Sequence, residues 1–243
     1  MIFLRSALYL AILVAYTPIH FIIVLACAVL PRMTRWHVIA AWPRMATWLA
    51  KHVLNIDYVV EGKANIPSDP CIILSKHSSA WETIASSGIF PPHIYVIKRE
   101  MLWLPFFGWG LALYSPISIN RSNRTEAMRR LSEMGVTRFA QGFSVLVYPE
   151  GTRIPVGKRA PYRLGGTRLA TSMGAKVLPV AHNAGLYWQM NSFLIFPGTV
   201  TVRIGKPIEA SGRSPESVMR EVEDWIEAQV AELTGARSGV GRD

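Results

Sequence analysis

Two short segments concentrate the side chains able to do chemistry. The first, Lys76-His77-Ser78-Ser79-Ala80-Trp81-Glu82, directly follows the apolar run Cys71 to Ser75. Catalytic groups in α/β sheets gather where strands run into loops at their carboxyl ends, and His77 stands at such a place. If a helix starts after His77, Glu82 lies about one turn on, near enough for its carboxylate to accept the proton of imidazole Nδ1. Nε2 then remains as a base. A carboxylate-oriented histidine is what proton removal from an alcohol requires, because the carboxylate fixes the tautomer and stabilises the imidazolium that forms. The second segment, Tyr148-Pro149-Glu150-Gly151-Thr152-Arg153, follows the apolar run Ser144 to Val147. A strand that breaks into a Pro-Glu-Gly turn brings backbone N–H groups, the Thr152 hydroxyl and the Arg153 guanidinium to one place. A guanidinium binds a phosphomonoester in bidentate fashion. Lys158, Arg159 and Arg163 extend this basic stretch. A rival nucleophilic role for Ser78 or Ser79 lacks the G-x-S-x-G elbow that such a serine uses.

These segments need a scaffold that holds strand ends side by side. Short β-branched runs predict strands at Tyr58 to Val60, Ile72 to Ser75, Ile94 to Ile97, Ile117 to Ile119, Val145 to Tyr148, Val177 to Ala181 and Val200 to Ile204. Helical patterns lie between them at Trp81 to Ser87, Trp103 to Tyr114, Thr125 to Ala140 and Thr167 to Met173. This alternation predicts an α/β sheet covered by helices on both faces. Ser214 as N-cap and Pro215 at the first helical position open a last helix through Leu233. Glu221, Glu223, Asp224 and Glu227 read as its solvated face. His182 follows a strand and is assigned to packing.

Hydrophobic residues make up 50% of the 243 residues and mean hydropathy is +0.23, more than a soluble domain of this size needs. The excess lies in Ala7 to Leu30, long enough to cross a hydrocarbon core although Pro18 and His20 interrupt it. It is longer than the apolar part of a removable signal peptide, so an uncleaved anchor is expected. Arg32, Arg35, Arg44 and Lys51 follow it, against Arg5 before it, which places the following domain on the cytoplasmic side. Trp36 to Leu54 reads as a second helix that Pro43 bends or interrupts, at the lipid interface, packed on the domain, or both. The expected organisation is membrane-anchoring helices over 1–55, a catalytic domain over 56–233 and a flexible tail over 234–243. Cys27 and Cys71 have no metal or redox spacing and fit a reducing compartment.

Residues 98–176 hold thirteen Lys and Arg against four carboxylates, so the middle of the chain is built to face anions. Phosphate head groups, a phosphopantetheine or acidic carrier and an anionic bilayer all fit. Nucleic acid does not, because the cations alternate with strongly apolar stretches and no nucleic-acid-binding signature is present.

Taken together, His77 to Glu82 and Tyr148 to Arg153 resemble the first and third blocks of the glycerolipid acyltransferases, in particular the bacterial 1-acylglycerol-3-phosphate O-acyltransferases of the PlsC type. Ile97 to Gly110 resembles the family's Lys-containing segment, Ile119-Asn120-Arg121 its second block and Val177-Leu178-Pro179-Val180 its fourth. The similarity runs over about Tyr58 to Pro207, with two N-terminal helices matching a membrane-docking pair. The family usually has Asp where this chain has Glu82, and an aromatic and an Asp where it has Ser118 and Asn120. The resemblance implies a mixed β-sheet covered by helices, with an N-terminal membrane-associated two-helix segment. It implies acyl transfer from acyl-CoA or acyl carrier protein to the sn-2 hydroxyl of lysophosphatidic acid, in phospholipid biosynthesis at the inner membrane, with no metal and no cofactor. His77 would be the base and Glu82 its orienting carboxylate. Lys98, Arg121 and Arg153 would hold the acceptor phosphate on a turn shaped by Glu150, Gly151 and Thr152. An acceptor such as lyso-ornithine lipid and a non-catalytic anionic-membrane-binding role are the alternatives. The aromatic cluster Trp103, Phe106, Phe107 and Trp109 fits an acyl-chain tunnel, the core or a membrane-facing surface.

Overall fold

In the computed structural model, which describes residues 1–120 and 122–235, the apolar runs become one seven-stranded sheet. Its strands are β1 (Ile56–Glu61), β2 (Ile72–Ser75), β3 (His93–Lys98), β4 (Ile117–Ile119), β5 (Ser144–Val147), β6 (Val177–His182) and β7 (Gly198–Ile204). They lie in the order β1-β7-β6-β2-β5-β3-β4, parallel except where β6 meets β7. The sheet is therefore mixed. Every residue of β2, β5 and β6 is buried, which is why these strands read as unbroken apolar runs: central parallel strands carry helices on both faces.

The helices are α1 (Ile2–Ala26), α2 (Arg32–Ile39), α3 (Ala41–Leu54), α4 (Trp81–Ile89), α5 (Phe107–Tyr114), α6 (Arg124–Ala140), α7 (Gly165–Met173) and α8 (Pro215–Gly235). α6, α7 and α8 pack side by side against β5, β2 and β6, while α1 to α5 form a second group. Local signals set the starts: the Asn123 side chain accepts the Glu126 N–H ahead of α6, and the Ser214 hydroxyl accepts the Ser217 N–H ahead of α8. The Gly at 166 lets α7 approach β2, because a Cβ there would stand 2.6 Å from the Leu74 side chain.

Two expectations are corrected. The N-terminal segment holds three helices rather than two, since Trp36 to Leu54 breaks at Ala40, which ends α2 and begins α3. Proline explains the break. Inside a continuous helix the Pro43 ring would press on the Ile39 carbonyl, whereas a restart at Ala41 puts it in a first turn, where its missing N–H costs nothing. Likewise Trp103 to Tyr114 is not one helix but a 3-10 turn (Arg99–Trp103) followed by α5. Pro105 holds Leu104 in an extended conformation (φ −67°, ψ 123°), which ends the turn.

By length and composition α1 suffices to cross a bilayer, and only 22% of its most apolar window is buried. Its buried face, Ser6, Tyr9, Leu13, His20 and Val24, packs on the domain. The Tyr9 hydroxyl donates to the Ala46 carbonyl (3.2 Å), and the Trp42 indole donates to the Thr17 hydroxyl (3.1 Å). Trp36 is core, its indole N–H donating to the His93 carbonyl (2.9 Å), while Trp48 is exposed. The second N-terminal stretch is thus packed on the domain and keeps one aromatic outward. The expected tail lies outside the described residues apart from its first two positions, which end α8.

Candidate active site

Strand register assembles the site. β2 pairs with β5 at Leu74↔Val147 and with β6 at Ser75↔Val180. Carried past the strand ends, the same offsets set His77, Glu150 and His182 beside one another at the carboxyl edge, where ligands of α/β sheets bind. Lys98 ends β3 at that edge.

His77 Nδ1 lies 2.9 Å from Glu82 Oε1. The same oxygen accepts the Ser78 and Ser79 N–H groups at 2.9 and 2.8 Å, because α4 starts at Trp81 and folds Glu82 back over its own first turn. Burial opposes the Glu82 charge. The nearby His182 and His77 and the Ser79 N–H outweigh burial and hold its carboxyl below the usual range. An ionised Glu82 requires the proton on Nδ1, which leaves the Nε2 lone pair as the base. The longer side chain in place of the family's Asp therefore still makes the dyad.

His77 is held on its other sides too. The His77 N–H donates to Glu150 Oε2 (3.2 Å), and the His77 carbonyl accepts the Ile154 N–H (2.8 Å). Its ring stacks on Tyr148 at 3.9 Å and 13°, and the Tyr148 hydroxyl meets the Thr83 hydroxyl at 3.0 Å. Behind Glu82, His182 donates from Nε2 to the Lys76 carbonyl (2.9 Å) and accepts the Ala184 N–H at Nδ1 (3.3 Å). Burial lowers its pKa against the opposing pull of Glu82, and the packing assignment stands, with Nε2 4.0 Å from Glu82 Oε2. The Ser79 hydroxyl is buried and accepts the Trp81 N–H (3.1 Å), so it serves the helix start rather than a nucleophilic role.

Glu150, expected to shape the turn under the acceptor phosphate, lies on the wall of the larger cavity and is held from within. Its enclosed carboxylate points inward to the His77 N–H and to Lys76 Nζ, 3.0 Å away. Lys76, itself buried, also binds Glu227 Oε1 from α8 at 2.7 Å. Glu227 further accepts from Tyr162 (2.9 Å) and pairs with Arg159 (3.2 Å), so its assignment to a solvated face is overturned. Burial, aided by Glu227, pushes the Glu150 carboxyl up to about 7 against the pull of Lys76. Sequence reasoning missed Lys76, Tyr148 and Glu227 as groups that surround and hold the His77 segment. The one signal was the apolar spacing of Val218, Val222 and Ile226, which sets Glu227 at the edge of the buried stripe of α8.

Two cavities meet at the dyad, and His77, Tyr148 and Val96 line both. The larger, about 770 Å³, runs between the Pro149–Thr152 turn, α6 and α7, with Arg163 and Arg168 at its rim. Gly151 and Thr152 line it. Gly151 has φ +74°, and a Cβ there would stand 3.0 Å from the Arg163 guanidinium, so the turn admits glycine on both counts. The smaller, about 350 Å³, is walled by α1, α3 and α5 and carries Lys98 and Arg153. Phe106 and Phe107 line it, whereas Trp103 and Trp109 do not and stand exposed. Arg121 lies outside the described residues.

Residues 57–183 match the family described as Acyltransferase. The chain is 45% identical over 210 residues, 85% of its length, to the 1-acyl-sn-glycerol-3-phosphate acyltransferase of Pseudomonas aeruginosa, of which it spans 82%. It is 28% identical over 173 residues, 70% of its length, to the 1-acyl-sn-glycerol-3-phosphate acyltransferase alpha of Mus musculus, of which it spans 61%. The crystal structure of the 1-acyl-sn-glycerophosphate (LPA) acyltransferase PlsC from Thermotoga maritima superposes with a TM-score of 0.79 at 25% identity, covering 95% of each chain. With a histidine–carboxylate pair at a strand end, a mixed sheet around it and relatives of this similarity, the chain belongs to the acyltransferase family, beside the PlsC-type bacterial acyltransferases.

Proposed function

We propose that the protein moves a fatty acyl group from a thioester, acyl-CoA or acyl carrier protein, to the sn-2 hydroxyl of lysophosphatidic acid, yielding phosphatidic acid. The observation that carries this reading is the His77–Glu82 dyad set where two cavities meet, each of them flanked by cations. His77 Nε2 takes the hydroxyl proton as the oxygen attacks the thioester carbonyl. The C–O bond forms, the C–S bond breaks, and the proton passes from the imidazolium to the departing thiolate. Glu82 stabilises the imidazolium between these steps. No metal or cofactor enters the scheme.

Lys98 and Arg153, which line the smaller cavity, would bind the acceptor phosphate, and the apolar wall of that cavity accommodates an acyl chain; Arg121 keeps the phosphate-binding role that the family resemblance implies. The acceptor is a lipid, and this cavity opens beside α1, the helix suited to a bilayer. On this reading residues 1–55 attach the catalytic domain over 56–233 to an anionic membrane surface, on the cytoplasmic side by the bias of Arg32, Arg35, Arg44 and Lys51. His77→Ala should abolish transfer to lysophosphatidic acid, by at least ~10²-fold, while folding and vesicle binding persist. The assay is acyl transfer by the purified chain against a panel of lyso-lipids, lyso-ornithine lipid included. Near-native turnover in a folded His77→Ala protein would refute the mechanism, and preference for a phosphate-free lyso-lipid would refute the acceptor.

A further inference from the structure

We infer that the larger cavity is the donor's site: it takes the phosphorylated pantetheine arm of the thioester, with Arg163 and Arg168 at its rim binding the phosphate. This rests on the acyl-transfer reading above. A hydroxyl and a thioester must converge on one base, so two approaches to His77 are required, and two cavities reach it from different sides. Their walls divide them by solvent. The smaller includes Thr17, Phe21 and Val24 of α1, and an acceptor dissolved in lipid reaches it there. The larger includes no residue of α1, α2 or α3 and is built from the β5 turn, α6 and α7, away from the apolar helix. A donor arriving from water meets that side.

Charge supports the division. Several surface arginines are paired with carboxylates, Arg129 with Glu133, Arg203 with Glu61 and Arg213 with Glu221, whereas Arg99 and Arg220 lie outside this cavity's lining. Among the described residues, Arg163 and Arg168 have no carboxylate within ion-pair distance. The nearby Glu150 carboxylate is turned away and enclosed with Lys76, so the cavity mouth keeps its positive field. The Arg163 guanidinium lies over Gly151, one residue past Glu150, whose carboxylate holds the His77 N–H. An anion gripped there stands at the entrance to the dyad. Coenzyme A and acyl carrier protein present the same chemistry, a phosphate ester on a pantetheine thioester, and the apolar remainder of the wall, Val96, Met128, Leu131 and Val147 among it, suits the uncharged arm.

The test uses the full-length chain and its Arg163→Ala, Arg168→Ala, Arg163→Lys and doubly substituted (Arg163→Ala with Arg168→Ala) forms. KM is measured for acyl-CoA, acyl carrier protein and the lipid acceptor, and the Kd of free coenzyme A is measured without acceptor. Each alanine should raise the donor KM about two- to fivefold, the range for exposed charged contacts, with a larger rise in the double variant, and leave the acceptor KM unchanged. Arg163→Lys should restore part of the loss. A parallel rise in the coenzyme A Kd identifies coenzyme A as the source of the phosphate; a rise confined to acyl carrier protein identifies the carrier. If the double variant leaves both donor KM values and the Kd unchanged, or raises only the acceptor KM, the assignment is overturned. If the native chain transfers to no lyso-lipid, the acyl-transfer reading fails instead, and the Kd comparison still decides whether these arginines bind a pantetheine phosphate.

Discussion

Glu82 and Glu150 are both buried beside His77, yet their surroundings drive them in opposite directions. Glu82 faces an imidazole N–H and two backbone N–H groups and is held charged, while Glu150 shares one ammonium with Glu227 and is pushed toward its neutral form. Glu82→Gln should therefore lower kcat strongly with little effect on KM, since an amide neither fixes the tautomer nor stabilises the imidazolium; steady-state kinetics check this, and an unchanged kcat would remove Glu82 from the mechanism. For Glu150 the sign runs the other way in stability. Its folded pKa, about 7, lies above the model-compound value of 4.5. The folded state then holds an extra proton between those values, so the contribution to stability is complete below about pH 4.5 and is lost as pH rises through about 7. Glu150→Gln has no such proton to lose. Thermal unfolding from pH 5 to 8 should show the native protein losing stability relative to Glu150→Gln as pH rises, by up to roughly 3 kcal/mol. Parallel curves would show that Glu150 stays ionised throughout. His77 and Glu82 were legible in the sequence because only four residues separate them, a gap that the short loop ahead of α4 closes. Tyr148 and Lys76 were not, because the stacking and the ion pairs cross from strand to strand.

The seven strands were legible from their apolar runs, and the register that joins them was not. Sequence gives no offset between β2 and β5, so nothing short of the pairing Leu74↔Val147 shows that Glu150 stands beside His77. The helices followed their caps, except where prolines intervened at Pro43 and Pro105 and split one expected helix each. α8 shows what periodicity leaves out: a carboxylate bordering a buried stripe reads as solvated until its partner is known. Glu227 reaches Lys76, which holds Glu150 and through it the His77 N–H, so the last helix bears on the first motif. Lys76→Met would leave two buried carboxylates facing one another without their cation, a change worth about 3–5 kcal/mol. Adding Glu227→Gln removes one of those charges, so the double variant should be more stable than Lys76→Met alone. Denaturant unfolding of the native, single and double forms measures this coupling. A double variant less stable than the single would mean that Lys76 and Glu227 contribute independently.

At the scale of the molecule, α1 has two unlike faces, one packed on the domain and one apolar and exposed. Hydropathy alone reads the helix as an anchor, because a profile averages around the helix and hides which side packs. In the structure the polar side chains of an otherwise apolar segment, Ser6, Tyr9, Thr17 and His20, turn toward the domain, and Ile19, Ile22 and Leu25 turn out. The contacts run its whole length, from Phe3 on Phe193 and Ser6 at the Ile195 N–H, through Tyr9 edge-on to Trp188, to Phe21 on Phe106 and Trp109. Deleting residues 1–30 would thus do more than free the domain from lipid. It would uncover Trp188, Trp42 and Phe106 and lose the burial of Tyr9, Leu13 and Val24, each worth about 1.5–3 kcal/mol. Replacing Ile19, Ile22 and Leu25 by Gln changes only the outward face. The two variants should separate anchoring from folding: the deletion lowers the unfolding temperature in mild detergent by several degrees and weakens vesicle binding, whereas the triple substitution weakens vesicle binding at an unfolding temperature close to native. Unfolding of the truncated chain at the native temperature would mean that the packed face of α1 adds nothing to the domain, and that the helix is an anchor alone.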